Sequence, residues 1–155
     1  QLALSSNQGK VYAFDIQIEA IHSARHYLES SLSEEQMARL EFQHCCHSIF
    51  PASILPESVK LIVYNLGYLP GGNKSRTTQA KTTLQSLSQA QKLLQPGGLM
   101  SVTCYPGHPE GAREQEAILT EMSHLSPLEW SCCHHVWLNR KQAPSLLLMQ
   151  KAKPN

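Results

Sequence analysis

The chain has 155 residues, room for one domain around one core, and 41% of them are hydrophobic, enough to fill it. A formal net charge of +1 excludes a protein that holds nucleic acid by counterion release over its whole surface and leaves that work to local basic patches. No run reaches the roughly 18 apolar residues of a membrane span and no signal-peptide pattern opens the chain, so a protein with no membrane partner is expected, cytoplasmic or, in a eukaryote, organellar.

In chain order, a strand is predicted over Lys10–Asp15, followed by a helix whose apolar stripe is Ile18, Ile21, His22, Ala24, Arg25 and Leu28. Strands at Arg39–His44 and Val59–Asn65 come next, then a second helix marked by Leu84, Leu87, Ala90, Leu93 and Leu94. Pro96-Gly97-Gly98 is expected to end that helix and turn the chain into a strand over Gly98–Tyr105. Ala117, Ile118, Glu121 and Met122 mark a third helix. Strands alternating with helices imply a parallel α/β sheet. The last two strands, Glu129–Leu138 and Ser145–Lys151, have only Asn139 to Pro144 between them and so predict an antiparallel hairpin at a sheet edge.

Five cysteines are an odd number, and four form the adjacent pairs Cys45-Cys46 and Cys132-Cys133, which is no disulfide framework. Reduced thiols are expected. His44, His47, His134 and His135 flank the pairs and invite a zinc reading, but adjacent residues of a strand point to opposite faces and do not converge on one ion. The expectation is therefore no metal, with the cysteines packed as small apolar groups.

Two strand ends carry polar residues where an open α/β sheet binds ligands. Asp15 is placed either to accept the two hydroxyls of a ribose or to cap the helix that follows. After the second, Asn65-Leu66-Gly67-Tyr68-Leu69-Pro70-Gly71-Gly72 sets a carboxamide and an aromatic ring side by side. The carboxamide oxygen can accept from an amine N–H, and the ring offers a stacking face.

That octet, with Lys74, Thr77, Thr78, Thr82 and Thr83, and the run Tyr105-Pro106-Gly107-His108-Pro109-Glu110-Gly111-Ala112-Arg113-Glu114, resembles one family of S-adenosylmethionine-dependent methyltransferases, over about Gly9 to Lys151. Its members, long labelled rRNA methylases, methylate the aminomethyl group of a wobble-position 2-thiouridine in tRNA. The resemblance implies a Rossmann-like class I methyltransferase fold, S-adenosylmethionine as cofactor, the anticodon region of tRNA as partner, and a homodimer. It also implies that the family's first strand and glycine-rich loop are missing, with Gln1–Ser6 matching the tail of the helix after that loop and Gly9 the turn into the next strand.

The resemblance assigns Asp15 to the ribose with Gln17 as a second contact, and His47 to the adenine side, although the family's acid is replaced by Cys45-Cys46 and an ordinary loop histidine remains the alternative. Asn65-x-x-Tyr68 is similar to the Asn/Asp-Pro-Pro-Tyr/Phe signature of amino-methylating enzymes, so Asn65 and Tyr68 are expected to hold the amine, with Asn65 also next to the cofactor. His108 is expected as proton acceptor, as an orienting group or as a rigid-turn residue. Glu114 belongs to the same motif and suits a helix N-terminus. Gly67, Lys74, Thr78, Tyr105 and Arg140 are expected to contact substrate, and Arg76, Lys81 and Lys141 are further phosphate candidates. An rRNA or small-amine acceptor, and a non-catalytic interaction module, are the competing readings.

Overall fold

The computed structural model describes residues 9–66 and 79–154. They fall into two compact units, Gln1–Ile49 and Phe50–Asn155. Among the described residues no helix is long and apolar enough to cross a membrane.

The first unit runs β1 (Val11–Asp15), α1 (Ile18–Glu29), α2 (Glu34–Met37) and β2 (Leu40–His44). β1 and β2 pair in parallel, from Val11 opposite Leu40 to Asp15 opposite His44, so both strands end together. Of the α1 stripe only Ile21 is buried, while Ile18 and Leu28 are half-buried. Arg25 is on the stripe for another reason: its guanidinium lies 4.6 Å from the centre of the Phe42 ring, a cation resting on an aromatic face. The single turn α2 has no apolar period to announce it. A capping box makes it, with Ser33 Oγ accepting from Gln36 N–H and Gln36 Oε1 accepting from Ser33 N–H.

The second unit runs β3 (Val59–Asn65), α3 (Ala80–Leu93), β4 (Leu94–Cys104), α4 (Pro109–Ser123), β5 (Trp130–His135) and β6 (Ser145–Lys151). Its sheet has the order β3-β4-β6-β5, with β3 parallel to β4 and the other two pairs antiparallel. The expected C-terminal hairpin is therefore present at one edge. From Gly98 onward β4 alternates strictly, and Met100, Val102 and Cys104 face the core with Met149 and Leu147 of β6 opposite the first two. Leu87 and Ala90 of α3 and Ile118 and Met122 of α4 close over them. Fully burying one such aliphatic side chain contributes about 1.5–3 kcal/mol, so this layer holds the unit together.

Pro96-Gly97-Gly98 does not form the separate turn expected of it. Val59 pairs with Leu94 and Leu61 with Leu99, so five steps along β4 oppose two along β3 and the extra residues form a bulge within the ladder. Gly97 takes φ +77, where a side chain is strained. The cysteine expectation also fails at β5. Cys132 and Cys133 are exposed, because β5 is an outer strand whose residues Ser131 to His135 are exposed on both faces.

The Tyr64 hydroxyl is buried 2.8 Å from Ser86 Oγ, joining β3 to α3. Burial pushes the phenol up to about 12, with the Ser86 hydrogen bond pulling the other way. An unfolded tyrosine titrates near 10, so this contribution to stability is complete below pH 10 and is lost as pH rises through 12. Denaturant titrations are expected to show a loss of about 2 kcal/mol across that window, and Tyr64→Phe is expected to flatten it; an equally steep decline in the variant would assign the loss to other groups.

Candidate active site

The carboxyl ends of β3 and β4 build the best-defined polar arrangement. Asn65 pairs with Thr103, and the ladder runs one bond further, from Leu66 N–H to Thr103 O at 3.2 Å. Leu66 is 3% exposed and anchored in the core, so the pleat turns Asn65 outward. Tyr105, one residue beyond β4, donates its hydroxyl to Asn65 Oδ1 at 2.8 Å. These two residues, expected on separate grounds, are brought together. The bond fixes the carboxamide's rotation, and Oδ1 keeps a second lone pair for an incoming N–H.

His108 is the N-cap of α4, its Nδ1 accepting from Gly111 N–H at 3.1 Å. An acceptor Nδ1 carries no proton, so in this arrangement the ring hydrogen is on Nε2 and Nδ1 is spent on the helix. The turn is tight: a Cβ on Gly111 would collide with the Tyr105 carbonyl oxygen and lie 2.9 Å from His108 Nε2. The spacing Gly-His-x-x-Gly thus has a packing reason, since the histidine caps and the glycine makes room. Glu114 is not in the exposed first turn where a helix-dipole role would put it. It is 3% exposed and accepts from Thr83 Oγ1 at 2.6 Å, bracing the start of α3 against α4. Its charge, after burial itself, helps push the Cys104 thiol up to about 12.

In the first unit Asp15 is not the helix cap, which is Gln17. Asp15 Oδ1 accepts from Gln17 N–H at 2.8 Å, a local turn that orients the carboxylate. Among the described residues Oδ2 makes no hydrogen bond, and the Gln17 side chain makes none to the helix end. His44 Nε2 lies 3.1 Å from Ile16 O and pins the same loop, a contact hidden in sequence by the Cys/His cluster around it. His47 is half-buried just after β2. A half-buried carboxylate with an open oxygen at a strand end fits the paired hydroxyls of a ribose, so these residues fit the nucleoside portion of S-adenosylmethionine.

Gly67, Tyr68, Lys74 and Thr78 lie outside the described residues. Arg140 is described, on the connection between β5 and β6, its guanidinium 5.4 Å from the centre of the Trp137 ring. Trp137 was missed in sequence, because a tryptophan near a strand end reads as core. It is 60% exposed. Among the described residues no three His, Cys, Asp or Glu side chains converge as a metal site.

Parallel strands ending in polar residues, with an antiparallel hairpin at the edge, give the α/β fold of the class I methyltransferases. The chain belongs to the family described as "Putative rRNA methylase", whose model matches residues 11–151. A chloroplastic tRNA (mnm5s2U34)-methyltransferase of Arabidopsis thaliana is 42% identical over 145 residues, covering 92% of this chain and 53% of that protein. The chain thus spans about half the length of this curated relative. A crystal structure of an rRNA methylase from Clostridium thermocellum, itself titled putative, superposes with a TM-score of 0.84 at 30% identity, over 92% of this chain and 75% of that one. A methyltransferase from Streptococcus mutans, similarly titled and solved in complex with SAH, gives a TM-score of 0.77 at 27% identity, over 92% and 76%.

Because His108 caps α4, His108→Ala is expected to lower unfolding free energy by about 0.5–2 kcal/mol and His108→Asn, which can still cap, to restore most of it. Urea titration of both variants checks this; equal losses would remove the cap as the explanation.

Proposed function

We propose that this chain serves methyl transfer from S-adenosylmethionine to the aminomethyl nitrogen of wobble-position 5-aminomethyl-2-thiouridine in tRNA. The observation that carries the reading is the Tyr105-to-Asn65 hydrogen bond at the ends of the parallel strands β3 and β4. The family, and the tRNA substrate named for the Arabidopsis relative, support it.

When bound, the cofactor supplies a methyl group on a sulfonium, which departs as a neutral thioether and needs no acid at the leaving group. The chain's task is alignment. Asn65 Oδ1, held by Tyr105, accepts an N–H of the amine and turns the nitrogen lone pair away from itself, while Tyr68 offers a face to the base. A site that withdraws water from the aminomethyl group lowers its pKa and favours the neutral nucleophile. Asp15 takes the ribose hydroxyls through its open oxygen, with Gln17 beside it and His47 toward the adenine. Lys74, Thr78 and Arg140 contact the tRNA.

Calorimetric titration with S-adenosylmethionine is expected to give saturable binding that Asp15→Ala abolishes; binding indifferent to that substitution would remove Asp15 from the site. With tRNA carrying the aminomethyl nucleoside, mass spectrometry of digested nucleosides is expected to show methylation that Asn65→Ala slows on the order of 100-fold and Tyr105→Phe by about 2- to 10-fold. Full turnover in Asn65→Ala would overturn the amine-clamp reading, and methylated nucleosides from rRNA alone would replace the tRNA acceptor with an rRNA base.

A further inference from the structure

The connection between β5 and β6 carries, beside Arg140, an exposed tryptophan to which the methyl-transfer reading assigns no role. β4 ends at Cys104 opposite Ser145, and His135 at the end of β5 is opposite Leu146, so this connection lies at the same end of the sheet, where β3 and β4 finish, as Asn65 and Tyr105. A Cβ on Gly107 would be 3.6 Å from the Gln142 carbonyl oxygen, so the connection adjoins the Tyr105–His108 turn. Arg140 N–H bonds to Trp137 O at 3.4 Å, a reverse turn that folds the guanidinium back over the indole. Val136, Trp137 and Leu138 are 55%, 60% and 99% exposed, three consecutive large apolar side chains open to solvent.

We infer that this tip is a stacking platform for unpaired nucleotides of an RNA loop, with the Trp137 indole and the Arg140 guanidinium as the flat faces and Arg140 and Lys141 as phosphate contacts. The inference rests on the RNA-methylating reading above. Charge selects the occupant. Residues 130–145 contain no Asp or Glu, and beside Trp137 they carry Arg140 and Lys141. In a chain of net charge +1 this is a local basic patch of the kind that overall composition left as the only route to RNA. A second copy docking by the same patch would set Arg140 and Lys141 against their own counterparts, with no acid to offset them. Bases stack on aromatic and guanidinium planes with little regard to sequence, and unpaired loops are where proteins reach them.

The test is fluorescence anisotropy with a fluorescein-labelled RNA stem-loop and a fully paired duplex of similar length, across a salt series, with sedimentation on each variant. Trp137→Ala is expected to weaken loop binding about 5- to 150-fold and to leave the weaker duplex binding and the salt slope unchanged. Trp137→Phe keeps most of the affinity and Trp137→Leu does not, which separates stacking from plain apolar contact. Arg140→Ala lowers the salt slope by about 0.7. If the parent chain binds the loop and Trp137→Ala binds it equally well, the platform is wrong while the methyltransferase reading stands. If Trp137→Ala instead changes the sedimenting mass with RNA affinity unchanged, a second copy is the occupant and the platform is overturned. If the parent chain binds no RNA, platform and tRNA reading fall together.

Discussion

The second unit depends on the parallel register of β3 against β4. That register sets Asn65 opposite Thr103 and carries the ladder on to Leu66, whose burial leaves Asn65 only one direction in which to point. Tyr105 follows one residue after β4 ends and meets the carboxamide at hydrogen-bonding distance. A slip of one residue in either strand would turn Asn65 into the core and Leu66 into solvent, costing both a buried leucine and a satisfied amide. Core packing and the geometry of the polar pair are therefore one constraint, enforced by the alternation of β4.

The bulge at Pro96-Gly97-Gly98 makes the register possible. α3 passes into β4 without a loop, and the strand absorbs the mismatch by letting five steps oppose two. Lys151 Nζ completes the arrangement, donating to Leu94 O at 3.0 Å and pairing with Glu57 at 2.9 Å. At the other end of the sheet, the His108 cap and the Thr83-to-Glu114 bond tie the starts of α4 and α3 together. A buried carboxylate is costly unless hydrogen-bonded, so the brace keeps its geometry once formed.

The described surface divides by chemistry. Around β4 the side chains are dry and interlocked, while β5 beyond the buried Trp130 and most of its connection to β6 are exposed, with an indole held open under a guanidinium. In the first unit Asp15 is oriented locally, by the backbone two residues on, while His44, from the end of the neighbouring strand, holds the loop between them.

Much of this was legible in the chain. The strand-end positions of Asp15 and Asn65, the parallel pairing, the terminal hairpin and the family follow from periodicity and two motifs, because hydrophobic alternation and turn residues act over a few positions and leave their mark locally. Other features were not legible. The sequence could not say that Pro96-Gly97-Gly98 is a bulge, since that depends on the partner strand's register. Nor could it say that Gln17 and not Asp15 is the cap of α1 or that His108 caps α4, assign Glu114 to Thr83 31 residues away, or tell that Cys132, Cys133 and Trp137 face water. Sequence by itself determined which residues have the chemistry and in what order the elements come; tertiary structure alone decided which of them meet and which stay wet, because burial and pairing are set by neighbours distant along the chain.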